Sequence, residues 1–153
     1  MFKINLYCVG NLKDKEYISM CQEYQKRISR FAKINVIEIK EKTNLDNIQL
    51  IIENESKDIS SKLDLTKACL FDVKGEMQSS EQLADFLKSW FNTNSELNFI
   101  IGGSYGVSNS IKHTVSKKLS ISKMTFPHRL FRVMALEQIY RALTILNNVN
   151  YHK

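Results

Sequence analysis

Two segments of this chain combine residue types that suit the binding of a flat ligand. The first is the loop 102–106, Gly-Gly-Ser-Tyr-Gly, which follows a short apolar run at 97–101. Glycines at the carboxyl end of a buried strand let the backbone come close to a ligand, so that peptide N–H and C=O groups can recognise its edge. A tight strand-to-helix turn that needs positive φ would use the same glycines. The loop alone therefore predicts either a ligand site or a sharp turn.

The second segment, residues 120–128, is rich in small hydroxyl side chains and reaches a proline at 127, which prevents a simple helical continuation. Together with the glycine loop, it favours a ligand site. His128 follows this proline directly, and for a lone histidine the alternative to a chemical role is a hydrogen-bonded structural role.

Several kinds of site are disfavoured by the sequence. It contains no G-x-x-x-x-G-K-[ST], H-E-x-x-H or G-x-S-x-G pattern, and the glycines of 102–106 do not fit G-x-G-x-x-G. The three cysteines, Cys8, Cys21 and Cys69, form no C-x-x-C pair. A nicotinamide enzyme, a zinc ribbon and a redox motif are therefore not expected, and no metal site is predicted.

Length and composition indicate one globular domain covering residues 1–153. The chain has 22 Lys+Arg against 16 Asp+Glu, a net charge of +6, which mildly favours an anionic partner such as nucleic acid. The N-terminus does not resemble a signal peptide, and no apolar run approaches the roughly 18 residues of a spanning helix. These features predict a soluble cytoplasmic protein without a membrane partner.

Apolar periodicity predicts the elements that position these segments. Strands are expected at 2–9, 34–39, 68–73, 97–101 and 118–121, the third of them closed by a turn around Gly75. Helices are expected from Asp14 to about Phe31, at about 46–63, from Ser79, at about 108–116 and at about 129–147, with a loop at 41–47. Ser79 and Gln82 have the spacing of a capping box. This alternation predicts an α/β fold with a mostly parallel sheet and helices on both faces.

Two helices carry further hypotheses. The first has a cationic face that is either simply solvated or in contact with RNA; it comprises Lys26, Arg27 and Arg30. The last is apolar on most sides, so it must bury more than one face. A second subunit would cover the extra surface, which predicts a homodimer.

Four linked motifs in the C-terminal part identify a family. They are Ile-Gly-Gly at 101–103, Lys-Met-Thr-Phe-Pro-His at 123–128, Glu-Gln-Ile-Tyr-Arg-Ala at 137–142 and Tyr-His-Lys at 151–153. With Val-Gly at 9–10 and the Tyr-x-Lys-Arg of the first helix, the chain resembles the ribosomal RNA large subunit methyltransferase H family of the SPOUT superfamily. The resemblance covers the whole chain.

The resemblance implies a SPOUT-type fold with a deep trefoil knot, an exception to the rule that chains do not thread loops. It implies a homodimer that uses S-adenosyl-L-methionine. It also implies methylation of nitrogen 3 of a pseudouridine in helix 69 of the large-subunit rRNA, on the assembled ribosome. The alternatives are a non-catalytic module of this fold that binds the ribosome or RNA, and a SPOUT methyltransferase that acts on another RNA.

Roles carried over by the resemblance fall on matching positions only. Cofactor contacts are expected from Phe71, Gly102, Ile121, Ser122, Lys123, Met124, Thr125 and Phe126, with an adenine between Phe71 and Ile121. Position 71 departs from the family, which often carries an aliphatic residue there. His152, Tyr151 and His128 are the catalytic candidates, and Arg132 and Arg141 are expected to bind phosphate or stabilise negative charge.

The chain departs most from the family just before its end. Family members tend to have Gly-x-Pro before Tyr-His, whereas residues 148–150 are Asn-Val-Asn here. Losing the proline removes a fixed φ and adds chain entropy. We therefore expect a tail that becomes ordered only when RNA is bound.

Overall fold

The computed structural model of the protein describes residues 1–43 and 46–153, so positions 44 and 45 of the predicted loop 41–47 lie outside the described residues. Within those residues the strands and helices alternate along the chain, which confirms the α/β class. They are β1 (Lys3–Val9), α1 (Lys15–Ile28), β2 (Lys33–Ile39), α2 (Ile48–Lys62), β3 (Ala68–Met77), α3 (Ser80–Phe91), β4 (Glu96–Ile101), α4 (Asn109–Thr114), β5 (Lys117–Ser120) and α5 (His128–Leu146).

The five strands form one parallel sheet in the order β2-β1-β4-β3-β5. The strand β1 pairs with β2 and β4 in unbroken register, whereas the pairing of β3 with β5 shifts between Phe71 and Glu76. Because all strands run the same way, their carboxyl ends meet at one edge of the sheet. The segments after β3, β4 and β5 therefore leave the sheet at the same edge. The trefoil knot remains a prediction of the resemblance.

Helices cover both faces of the sheet, as predicted. Successive strand residues point to opposite faces, so Leu6 and Phe99 join a core with α1, α3 and α5. Tyr7 and Ile100 join a second core with α2 and α4. Fully burying an aliphatic or aromatic side chain of this kind stabilises a fold by about 1.5–3 kcal/mol.

The apolar helix α5 is covered largely by its own chain. It packs against α1 and α3, and its buried residues include Val133, Leu136 and Ile139. The inference that its apolar sides need a second subunit was therefore wrong in its reason, because two neighbouring helices and the sheet supply most of the cover. The homodimer remains a prediction on other grounds.

The third strand is longer than predicted, and no turn closes it at Gly75. β3 continues through Met77, and Gly75 lies against the backbone of β5. A Cβ at Gly75 would lie 2.7 Å from the carbonyl carbon of Lys118, so glycine is required there for close packing of two backbones. The predicted capping box is confirmed, since the backbone N–H of Gln82 donates to Ser79 Oγ and that of Ser79 donates to Gln82 Oε1.

The C-terminal tail packs against its own chain, and its ordering by RNA remains a prediction. After α5, Asn148 adopts φ of 54°, and the N–H groups of Asn148 and Val149 donate to the carbonyls of Ile145 and Thr144. This is a Schellman motif, and asparagine is the residue that best replaces glycine in its left-handed position. The turn then directs Tyr151 onto the ring of Tyr140, with 4.7 Å between ring centroids.

Candidate functional site

A cleft of about 620 Å³ lies at the carboxyl edge of the sheet, where the segments after β3, β4 and β5 meet. It gathers nearly all of the predicted cofactor-binding residues: Phe71, Gly102, Ile121, Ser122, Met124, Thr125 and Phe126. Lys123 is the exception, since it is exposed and does not line the cleft. Among the catalytic candidates, His128 lines this cleft.

The glycine loop is both a tight turn and a wall of the cleft. Gly106 has φ of 82°, and its N–H donates to the Gly103 carbonyl at 3.0 Å. A Cβ at Gly102 would lie 3.0 Å from Val107 Cγ1 and 3.3 Å from the carbonyl carbon of Gly106. A side chain at Gly102 would therefore press on Val107 and Gly106, and Gly102 lines the cleft with its backbone alone.

Local hydrogen bonds shape the segment after β5. The Ser120 hydroxyl donates to the Ser122 carbonyl at 2.8 Å, and the Met124 N–H donates to Ser122 Oγ at 3.0 Å. The Met124 side chain is 73% exposed. A backbone held in this way is preorganised, which reduces the entropy lost when a ligand binds.

Phe71 lines the cleft with a side chain that packs mostly into the core. Its side chain is buried, stacked on Phe99 with 5.3 Å between centroids and edge-on to Phe131 at the same distance. An aromatic residue at this position thus extends the core beneath the cleft. An adenine sandwiched between Phe71 and Ile121 remains a prediction.

Arg132 is a buried structural residue. It is 3% exposed, and its guanidinium donates to Glu38 Oε2 at 2.7 Å and to the Gly10 carbonyl at 2.9 Å. Burial alone would raise the pKa of the Glu38 carboxyl, but the hydrogen bonds from Arg132 and the Leu12 N–H outweigh it, so the pKa lies below its ordinary value. This arrangement gives no support to the predicted contact of Arg132 with RNA.

The tail places the other two catalytic candidates away from the cleft lining. The Tyr151 hydroxyl donates to Glu137 Oε1 at 3.0 Å, and burial together with that carboxylate raises the tyrosine pKa to about 12. His152 has Nδ1 3.2 Å from Arg141 Nη1 and Nε2 2.7 Å from Glu81 Oε1. Because a guanidinium can only donate, Nδ1 accepts and Nε2–H donates to the carboxylate. In this conformation the polar atoms of both side chains are engaged by these partners.

The predicted cationic face lies outside the lining of the cleft. Lys26 and Arg30 are exposed, while Arg27 pairs with Glu23 at 2.8 Å and lies 5.5 Å from the ring centroid of Tyr24. Arg141 is likewise engaged, since Glu137 accepts hydrogen bonds from its guanidinium. Contacts of these residues with RNA remain a prediction.

A second cavity of about 510 Å³ adjoins the cleft between α1, α3 and α5. The two share a wall formed by Phe71, Leu119, Ile121, Ser122 and Phe126. The polar groups of the second cavity include Tyr24, Ser80 and Glu137. It thus lies next to the cleft, on the side of the helix that holds the tail.

Sequence reasoning missed three charged residues of the cleft: Asp72, Lys74 and Lys112. Their positions in the sequence could have identified them. Asp72 and Lys74 follow the buried part of β3, and Lys112 lies on the helix after the glycine loop. Over residues 1–43 and 46–153, no group of three or more His, Cys, Asp or Glu side chains is arranged to hold a metal ion. In the same ranges no helix is long and apolar enough to cross a membrane.

Comparison with known proteins gives consistent similarities. Residues 2–152 match the family model described as "Predicted SPOUT methyltransferase". Two relatives named ribosomal RNA large subunit methyltransferase H are similar over 98% of this chain and 99% of their own length. The protein from Fusobacterium nucleatum is 41% identical over 153 residues, and that from Mycoplasmopsis synoviae is 44% identical over 151.

Two solved structures share the fold at low sequence identity. A tRNA (m1G37) methyltransferase from Aquifex aeolicus has a TM-score of 0.56 at 13% identity, covering 98% of this chain and 73% of its own. A methyltransferase from Legionella pneumophila, solved with bound S-adenosylmethionine, has a TM-score of 0.52 at 11% identity, covering 92% of this chain and 66% of its own.

Proposed function

This chain belongs to the ribosomal RNA large subunit methyltransferase H family of SPOUT methyltransferases, and on that premise we propose that it transfers a methyl group from S-adenosylmethionine to large-subunit rRNA. The observation that carries the proposal is the convergence of seven cofactor-binding candidates in one cleft at the carboxyl edge of the sheet. The family relationship extends over nearly the full length of the chain and of its relatives.

The residues of the cleft fit S-adenosylmethionine. The cleft volume of about 620 Å³ is in the usual range for pockets that bind ligands of this size. The backbone at Gly102 and along 121–126 would recognise the adenine edge, and Ile121 would pack on its face. Asp72 and Lys112 supply opposite charges that match a zwitterionic amino-acid group. When bound, the cofactor supplies an electrophilic methyl group on a sulfonium.

The protein's own residues would align the reactants and move one proton. Methyl transfer is a direct displacement, so alignment matters more than acid–base strength. An imide nitrogen such as nitrogen 3 of a pseudouridine must nevertheless lose its proton, and His128 is the candidate acceptor that lines the cleft. The finer assignment to a pseudouridine in helix 69 of the assembled ribosome follows the resemblance and is part of the proposal.

Tyr151 and His152 would act only after a rearrangement or across an interface. In one protomer they are bound to Glu137, Glu81 and Arg141. The tail reaches a cleft either by leaving those partners or by lying beside the cleft of a second protomer. We propose a homodimer as the working form.

The experiment is a transfer assay with labelled S-adenosylmethionine on assembled ribosomes, separated subunits and free tRNA, followed by mapping of the labelled nucleotide. Label in large-subunit rRNA only with assembled ribosomes is the expected result. Label in tRNA would retain the chemistry and overturn the substrate. Thermal unfolding with the cofactor at about 100 times Kd should show roughly 2.7 kcal/mol of stabilisation. No label despite that stabilisation would support a non-catalytic module.

A further inference from the structure

A buried carboxyl group lies directly behind the glycine loop, and the proposed chemistry does not use it. Glu55 on α2 is 2% exposed. Its Oε2 accepts the backbone N–H of Lys42 at 2.9 Å, whereas Oε1 has no hydrogen-bond partner among residues 1–43 and 46–153. A buried polar oxygen without a partner is unfavourable in a fold unless another interaction compensates for it.

Glu55 lies next to the backbone of Gly103, which lines the cleft. A Cβ at Gly103 would lie 2.8 Å from Glu55 Oε1, and Gly103 itself lines the cleft. The next residue on α2, Ser56, accepts the backbone N–H of Ser108 at 2.9 Å through its hydroxyl. The helix therefore holds the Ser108 end of the loop 103–108 and places an unpaired carboxyl oxygen beside Gly103, a residue of the cleft wall.

The surroundings leave a charge on Glu55 largely uncompensated. Burial is the main influence that raises its pKa; the Lys42 N–H acts in the opposite direction, and Glu41 and Asp58 add to the increase. The Lys42 ammonium forms its ion pair with Asp58, at 3.1 Å. The side chains of His128 and Glu41 both lie beside Gly10, where a Cβ would approach each of them. A cation bound in the cleft would supply the counter-charge that Glu55 lacks.

We infer that Glu55 is a specificity-determining residue whose carboxylate, acting across Gly103, favours a positively charged methyl donor over its neutral thioether product. The inference rests on the proposed function. Binding of the sulfonium would lower the pKa of Glu55, so that the acid form, where it is populated, releases its proton to solvent. After the methyl group has left, the sulfur is neutral, the pKa of Glu55 rises again, and the product is held less tightly.

The test compares the affinities of S-adenosylmethionine and S-adenosylhomocysteine for the wild type, Glu55→Gln and the matched control Glu53→Gln, an exposed glutamate on the same helix. Calorimetry in two buffers of different ionisation enthalpy also counts the protons released. We expect Glu55→Gln to lower the affinity ratio of donor to product by roughly fivefold, as for two charges separated by a protein backbone. The control should leave the ratio unchanged, and the wild type should release protons only with the donor.

A structural role would change both affinities by the same factor, and that result would overturn the inference while leaving the proposed function intact. If Glu55→Gln does not fold, proton release by the wild type decides, since equal release with both ligands contradicts a charge-sensing role. Failure of the wild type to bind either ligand would overturn both proposals.

Discussion

Gly102 lies where the end of β4 meets Val107 and Gly106, and a Cβ there would require these neighbours to shift by a few tenths of an ångström. Because Gly102 has no side chain, its backbone can pack against the turn and also present its peptide groups to the cleft.

We expect Gly102→Val to lower the affinity for S-adenosylmethionine at least about tenfold. Its branched side chain must displace Val107 or the loop backbone, and overpacking of this kind costs about 1–3 kcal/mol of stability. Calorimetric titration and thermal unfolding would measure the two effects. The control is Tyr105→Val, which places the same side chain at an exposed position of the same loop outside the cleft lining. Retained binding by Gly102→Val would remove this loop from the cofactor site.

The pairing of Arg132 with Glu38 predicts a pH dependence of stability. The pKa of Glu38 is lowered in the folded state, so its contribution is present above its unfolded value and is lost as pH falls through the folded value. Glu38→Gln should lose about 1–2 kcal/mol at neutral pH, a modest figure because the carboxylate is partly exposed. The variant should also lose less stability than the wild type in acid. Urea unfolding from neutral pH to about pH 3 would check this, and parallel curves would contradict it.

At the scale of elements, a row of asparagines joins the three strands β2, β1 and β4. Asn5 donates to Asn98 Oδ1 and accepts from Asn35 Nδ2, each at 2.8 Å, and the three residues are register partners. A slip of one residue would turn these amides into the opposite, apolar core. The row therefore specifies the register between these three strands.

We expect Asn5→Val to destabilise the protein by about 1–3 kcal/mol, since it leaves the buried Asn98 and its neighbour Asn35 without their partner. The double variant Asn5→Val/Asn98→Val should lose less than the sum of the single variants, because it removes both ends of one bond. Urea denaturation measures all three, with the exposed Asn11→Val as control. Strict additivity would show that the amides do not act together.

Local sequence patterns predicted most secondary-structure elements but could not predict contacts between residues far apart in the sequence. Periodicity located the strands and α-helices, and the spacing of Ser79 and Gln82 predicted the capping box. The turn at Gly75 was wrong because glycine there serves the backbone of Lys118, a contact that no local pattern encodes. In the site, the linked motifs predicted the residues of the cleft, but the bond of Arg132 to Glu38 joins residues 94 positions apart.

At the scale of the whole molecule, the site and the tail lie in different parts of one protomer. His128 lines the cleft, whereas Tyr151 and His152 are bound beside α3 and α5. The proposed homodimer would use surface other than the sides of α5 that α1 and α3 cover. Turnover and cofactor binding should then depend on different parts of the chain.

We expect deletion of residues 151–153 to reduce methyl transfer at least about tenfold with little change in affinity for S-adenosylmethionine. The tail contributes no residue to the cleft lining but carries two candidate proton carriers. Initial rates on ribosomes and calorimetric titration would separate the effects. Glu81→Gln is the companion variant, since it should free His152 without removing it. Near-normal methylation by the deletion variant would exclude the tail from the mechanism.

The strand order has a consequence for synthesis on the ribosome. The strand β1 leaves the exit tunnel before the other strands, but its partner β4 follows about 90 residues later, because Asn5 and Asn98 are 93 positions apart. At about 5–20 residues per second, the nascent chain would wait roughly 5–20 s for that pairing. During this delay only β2 can cover an edge of β1, so its other edge stays open to wrong partners. A chain of such high contact order folds slowly and depends on protection of that edge until translation is nearly complete.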